Sequence, residues 1–138
     1  MSEMSVGRPI EILLVEDNPG DVRLTREALK EGKVRNRLSV AANGEEALER
    51  ARSHGHTIDL VISDVVMPVM DGPEMLAHLR ENSRTASIPV VFMTARAQPN
   101  EVEHFLSLGA AGVIAKPFDP LTLAASVRAC LRDPPSAA

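Results

Sequence analysis

Five short apolar runs recur along the chain, at Ile10 to Val15, Leu38 to Ala41, Leu60 to Ser63, Val90 to Met93 and Gly112 to Ala115. Their length and their content of Val, Ile and Leu predict strands. Segments with helical spacing lie between them. They are opened by residues suited to a turn or a helix start, such as Asn18-Pro19-Gly20, Asn43-Gly44, Asp71-Gly72 and Asp119-Pro120. The last is the plainest. Ala124, Val127 and Leu131 recur at i, i+3 and i+7 while Arg128 and Arg132 fall off that stripe, so one face should pack on a sheet.

Strands that alternate with helices of this length build βαβ units with right-handed crossovers and a parallel sheet covered on both sides. The expected fold class is therefore α/β, a five-stranded parallel sheet in the order 2-1-3-4-5 with helices on both faces. The runs EILLV and DLVIS are almost continuously apolar, as central strands require, whereas LSVAA is weaker and edge-like. In such sheets ligands bind beyond the carboxyl ends of the strands, at the switch point between strands one and three. Residues 1–9 read as an N-terminal extension, 10–132 as the domain and 133–138 as a tail. Pro134 and Pro135 keep that tail from continuing the helix, and no output domain is expected.

Composition narrows the function classes. The 138 residues are 44% hydrophobic and 25% charged, which suits one folded domain rather than a disordered chain. A net charge of -4 argues against a direct nucleic-acid binder, and only Phe92, Phe105 and Phe118 are aromatic, which leaves no platform for stacking bases. Cys130 is the sole cysteine, so a reducing compartment is the simplest reading. With no secretion signal in MSEMSVGRP and no membrane-length apolar run, a cytoplasmic location and no membrane partner are expected. Neither GxxxxGK[ST] nor GxGxxG is present, so nucleotide binding has no support.

Glu16 and Asp17 follow the first run directly and Asp64 follows the third, so the expected strand order gathers three carboxylates at one place. Two unit charges 4 Å apart repel by about 4 kcal/mol at an effective dielectric of 20, so such a cluster must take up protons or hold a cation. Oxygen-only ligands favour a hard ion, and Mg²⁺ (or Mn²⁺ in its place) suits a few carboxylates, waters and a phosphate. Thr94 ends the fourth strand and Lys116 the fifth, on the same edge as the acids. A carboxylate can attack a phosphoryl group while an ammonium and a cation neutralise its oxygens and a hydroxyl donates to them. Ala95 is small enough to leave room beside Thr94. Taken singly, Glu16, Asp17 and Thr94 could each cap a helix, Asp64 could open a turn and Lys116 could lie in solvent.

In order and spacing, ILLVEDN, DLVISDVVMPVMDG, PVVFMTA and GVIAKPF resemble the response-regulator receiver family of two-component signalling, over about Ile10 to Leu131. The resemblance implies a flavodoxin-like receiver fold with Asp64 as the phosphoryl acceptor. It implies that Glu16, Asp17, Asp64 and the backbone carbonyl of Val66 hold Mg²⁺, directly or through water, and that Thr94, Ala95 and Lys116 surround the phosphoryl group. It also implies a cis Lys116-Pro117 bond, a form otherwise found in about 5–6% of such bonds. The expected partners are a sensor histidine kinase and a downstream effector or phosphotransfer protein, with the chain a monomer or a phosphorylation-linked homodimer. Its chemistry would serve only its own modification, so it is not expected to be an enzyme with an independent substrate. The segment EDNPGDVRLTREAL is similar to the opening of receivers paired with bacterial phytochrome kinases.

One departure concerns the switch. Receivers that rotate an aromatic side chain carry Tyr or Phe three residues before the lysine, and this chain has Val113 there. The signal is then expected to pass through the loop and helix after strand four, with Phe105 or Phe118 as surface reporters. Val66 and Arg96 flank the site and should influence water access. A small-substrate phosphohydrolase using an aspartate nucleophile is the alternative enzyme reading, but it would want an acid where Val66 stands. A pseudo-receiver that is never phosphorylated fits poorly with a complete acid, hydroxyl and lysine set. The four histidines lack ligand spacing, and Met67, Met70, Met75 and Met93 read as packing residues.

Overall fold

The computed structural model describes residues 9–54, 57–117 and 119–132. Ten elements alternate: β1 Ile10–Val15, α1 Pro19–Glu31, β2 Asn36–Ala41, α2 Gly44–His54, β3 Leu60–Asp64, α3 Gly72–Glu81, β4 Val90–Thr94, α4 Pro99–Ser107, β5 Gly112–Ala115 and α5 Pro120–Arg132. The strands form one parallel sheet in the order β2-β1-β3-β4-β5, as the apolar runs predict. β2 begins two residues before its apolar run. It pairs with β1 alone, and its side chains alternate between partly buried and exposed, so polar Asn36 and Arg37 are tolerated there.

The period of two along each central strand splits the core into two layers. Leu13, Val15, Val61, Val90 and Phe92 point to one face and pack with Ala47, Leu48 and Ala51 of α2 and Met75, Leu76 and Leu79 of α3. Ile12, Leu14, Leu60, Ile62, Val91 and Met93 point to the other and pack with Ala28 and Leu29 of α1 and Leu123, Ala124 and Val127 of α5. The helical stripe read on α5 is thus its core face, with Leu123 joining it. Met67, Met75 and Met93 are buried and Met70 packs on the core, as expected.

The turn residues act as helix starts by hydrogen bonding. Asn18 Oδ1 accepts from the backbone N–H groups of Gly20 and Asp21 at 2.8 and 3.1 Å, which satisfies orphan donors of α1. Asp71 and Glu74 form a reciprocal capping box on α3. Gly72 is required by packing. A Cβ there would lie 2.7 Å from the carbonyl oxygen of Asp64 and 2.8 Å from the Phe92 ring, so only glycine lets α3 start directly against the end of β3. No helix among the described residues is long and apolar enough to cross a membrane.

Candidate phosphoryl-acceptor site

The register of the sheet dictates the site. Val15 pairs with Ser63, so Glu16 emerges beside Asp64. Asp64 pairs with Met93 and Thr94 with Ala115, so Asp64, Thr94 and Lys116 step across three neighbouring strands at their carboxyl ends. Asp64 is the last residue of β3 rather than the residue after it, and the backbone N–H of Lys116 donates to the Thr94 carbonyl at 2.8 Å.

Candidate ligand oxygens of Glu16, Asp17 and Asp64 lie within 4.8 Å of one another. The three environments differ: Glu16 is buried, Asp64 partly buried and Asp17 exposed. Burial raises the Glu16 pKa above its ordinary value, and the charge of Asp64 raises it further, against the opposing pull of the Asn18 N–H and of Lys116. The cluster therefore has a repulsion that a cation would relieve, and its all-oxygen donor set fits Mg²⁺.

Lys116 occupies the centre. Its Nζ lies 3.0 Å from Asp64 Oδ1, 3.2 Å from Glu16 Oε1 and 3.3 Å from Asp21 Oδ2. Burial alone would lower the pKa of this ammonium, but the hydrogen bond and charge of Asp64, followed by those of Glu16, raise it above the ordinary lysine value. The lysine is a fixed positive charge at neutral pH rather than a solvated surface group. The Lys116-Pro117 bond is cis.

Thr94 is partly buried, and its Oγ1 accepts from the Arg96 N–H at 3.0 Å, so the hydroxyl is engaged with the loop that leads into α4. Arg96 is exposed, and its guanidinium Nε lies 3.6 Å from a carboxylate oxygen of Glu101 on α4. Ala95 is exposed and lines a groove of about 430 Å³ with Lys116, Pro117, Asp21, Leu24 and Pro120. Val66 stands in the loop after β3, two residues past Asp64, and is 82% exposed.

Two expectations need correction or restriction. Phe105 is not a surface reporter, because it is half-buried and sets its ring edge against Phe92, with centroids 5.4 Å apart at 64°. Phe118 lies outside the described residues. Sequence reasoning also missed Asp21. It sits in the first turn of α1, and nothing in its local spacing signals a contact with a lysine 95 positions further on. Val69 was missed too, a β-branched residue at φ 69° in the loop between β3 and α3.

A doubly wound sheet with acids, a hydroxyl and a lysine across its carboxyl edge defines a class of proteins that handle phosphoryl groups at a strand-end aspartate. Comparison with known proteins narrows the class: residues 12–128 match the family described as the response regulator receiver domain, and the chain belongs to that family. It is 41% identical over 123 residues to response regulator Rre1 of Synechocystis, a match covering 89% of this chain and 52% of Rre1. The chain spans about half the length or less of curated relatives such as this one and the probable transcriptional regulators ycf29.

Solved structures agree on the fold. The chemotaxis response regulator CheY4 of Vibrio cholerae superimposes with a TM-score of 0.78 at 30% identity, covering 88% of this chain and 98% of CheY4. The receiver domain of the sensor histidine kinase PA1611 from Pseudomonas aeruginosa, described with a magnesium ion coordinated in its active-site cleft, gives a TM-score of 0.78. Its identity is 28%, with 91% of this chain and all of that one covered.

Proposed function

We propose that the chain accepts a phosphoryl group on Asp64 from the phosphohistidine of a sensor histidine kinase, and that the modification alters the face formed by α4, β5 and α5. The observation that carries this reading is the Lys116 ammonium 3.0 Å from Asp64 Oδ1, beside the Thr94 hydroxyl on the next strand.

In the transfer, an Asp64 carboxylate oxygen attacks phosphorus in line. An O–P bond forms and the P–N bond to the donor imidazole breaks, its electron pair staying on that ring nitrogen as a lone pair, so that a donor ring protonated on its other nitrogen leaves as neutral imidazole. Lys116, already charged and placed, passes a hydrogen bond from Asp64 to a phosphoryl oxygen. Thr94 Oγ1, released from the Arg96 N–H, donates to another. Glu16, Asp17 and Asp64 would hold Mg²⁺ together with the Val66 carbonyl, and the ion would supply neutralisation of the phosphoryl charge. Water attack on the phosphorus of the acyl phosphate breaks its bond to the Asp64 oxygen, releasing inorganic phosphate and returning the free carboxylate. Exposed Val66 and Arg96, two residues past Asp64 and Thr94 respectively, are the side chains placed to influence that water's access.

The chemistry serves the chain's own modification and needs no independent substrate. The modified face meets a downstream effector or a phosphotransfer protein, or a second copy of the chain, in a cytoplasmic setting. The similarity of the α1 segment favours a phytochrome-type kinase as donor. Intact-mass spectrometry after incubation with phosphoramidate tests the core of this reading. A gain of one phosphoryl group that requires Mg²⁺ and disappears in Asp64→Asn is expected. No gain under any condition would overturn it, and steady turnover of a phosphomonoester would favour a phosphohydrolase instead.

A further inference from the structure

Lys116 has three N–H donors, and three carboxylates surround it: Asp64 at 3.0 Å, Glu16 at 3.2 Å and Asp21 at 3.3 Å. Glu16 and Asp64 belong to the strand ends of the acceptor site. Asp21 does not; it reaches the same nitrogen from the first turn of α1, across the mouth of the groove between α1 and the start of α5. Its side chain is 37% exposed, against 1% for Glu16 and 17% for Asp64, so it is the one member of the set whose carboxylate faces solvent substantially.

When a phosphoryl group arrives on Asp64, one Lys116 donor must turn from Asp64 to a phosphoryl oxygen, while the other two stay with Glu16 and Asp21. The tether to Asp21 holds the ammonium toward the first turn of α1. The Asp21 charge also adds to the negative field that an incoming phosphoryl dianion must enter. Both effects oppose occupancy of the acceptor.

We propose that Asp21 is a positioning residue that shares the Lys116 ammonium with the phosphoryl group and so lowers the phosphorylated fraction of the protein. The inference rests on Asp64 being the phosphoryl acceptor, and it adds a brake to that site. An acid in the first turn of a helix also stabilises the helix through its dipole, and Asp21 serves in that way too. The two roles separate experimentally, because helix support does not depend on what Asp64 carries.

The test is binding of beryllofluoride, a phosphoryl mimic, to the full chain at saturating Mg²⁺. It is followed by backbone amide NMR because the chain lacks Trp and Tyr. Asp21→Asn removes the charge and should bind beryllofluoride about two- to fivefold more tightly, the scale of a partly exposed ion pair. Asp21→Glu restores a carboxylate on the same turn and should return the affinity to the wild-type value. Unchanged or weaker binding by Asp21→Asn, or an Asp21→Glu variant that behaves like Asp21→Asn, would overturn the brake while leaving the acceptor intact. Failure of the wild type itself to bind beryllofluoride would instead remove Asp64 as the acceptor, and the brake with it.

Discussion

The two helices beside β5 are held in very different ways. α5 buries Leu123, Ala124 and Val127 against the sheet, and its Arg128 donates to the Gly32 carbonyl at the end of α1 at 2.7 Å. α4 has no buried residue at all. Its apolar attachment is the half-buried ring of Phe105 on Phe92, while Leu106 and Leu108 at its end remain 45% and 42% exposed. The proposed acceptor site lies between these halves. The half formed by β1, β3, α1 and α5 carries the acids and Lys116 on a packed frame. The loop after β3, the loop after β4 and α4 carry Val66, Val69 and Arg96 on a light one, with Thr94 at the end of the buried strand β4 where the two halves meet. Under the proposed function, a new charge at Asp64 would meet packed neighbours on one side and, on the other, an element that little packing energy holds in place.

The largest effect should come from the packed half. Leu29 of α1 is fully buried, and Leu29→Ala should cost about 2–5 kcal/mol in chemical denaturation, the range for emptied core sites. Phe105→Ala should cost less, about 1–2 kcal/mol, because only part of the ring is covered. Its more telling readout is amide hydrogen exchange. The amides of α4 should exchange through a local opening of lower free energy than those of α5 already in the wild type, and Phe105→Ala should widen the gap. Equal protection of α4 and α5 would break the comparison.

That asymmetry explains what the sequence could and could not disclose. The five strands and the helix starts at Pro19, Gly44, Gly72 and Pro120 were legible because apolar runs and turn chemistry are local signals. The meeting of Glu16, Asp17, Asp64, Thr94 and Lys116 was legible because all five sit at strand ends, and a parallel order fixes which ends adjoin. Asp21 was not, since its contact with Lys116 depends on the rotation of α1 against β5. Phe105 was misread because neighbouring Leu106 and Leu108 are equally apolar, and only the direction of the helix decides which one reaches Phe92.

On the packed side the cost of the site is electrostatic, and pH exposes it. Because the Glu16 pKa is raised in the fold, the folded state binds more protons than the unfolded chain between the ordinary value of 4.5 and the raised one. In the absence of divalent cation, the Glu16 contribution to stability should therefore be fully present below that window and be lost as pH rises through it. Glu16→Gln should flatten the slope, and saturating Mg²⁺ should offset the loss by binding the ionised cluster. Urea midpoints measured across this range with a chelator and with Mg²⁺ check it. A rise in stability through the window in chelator, lost in Glu16→Gln, would contradict the assignment.

On the lightly held side the cost is conformational, and it is the smallest of these effects. Val69 adopts φ 69° and is 73% exposed, so the residue has little packing to offset its backbone geometry. A left-handed conformation costs an L-residue roughly 1–2 kcal/mol, and a β-branched side chain makes it no easier. Glycine adopts it freely but adds freedom to the unfolded chain, at roughly 0.5–1 kcal/mol. The two terms oppose each other and the first is larger, so Val69→Gly should stabilise the protein by about 0.5–1 kcal/mol, read as a higher denaturation midpoint. Val69→Ala keeps the Cβ that causes the strain and should gain much less. If Val69→Gly were instead destabilising, the exposed valine would be held by contacts that outweigh its backbone strain, and the loop beside Asp64 would belong with the packed half of the molecule.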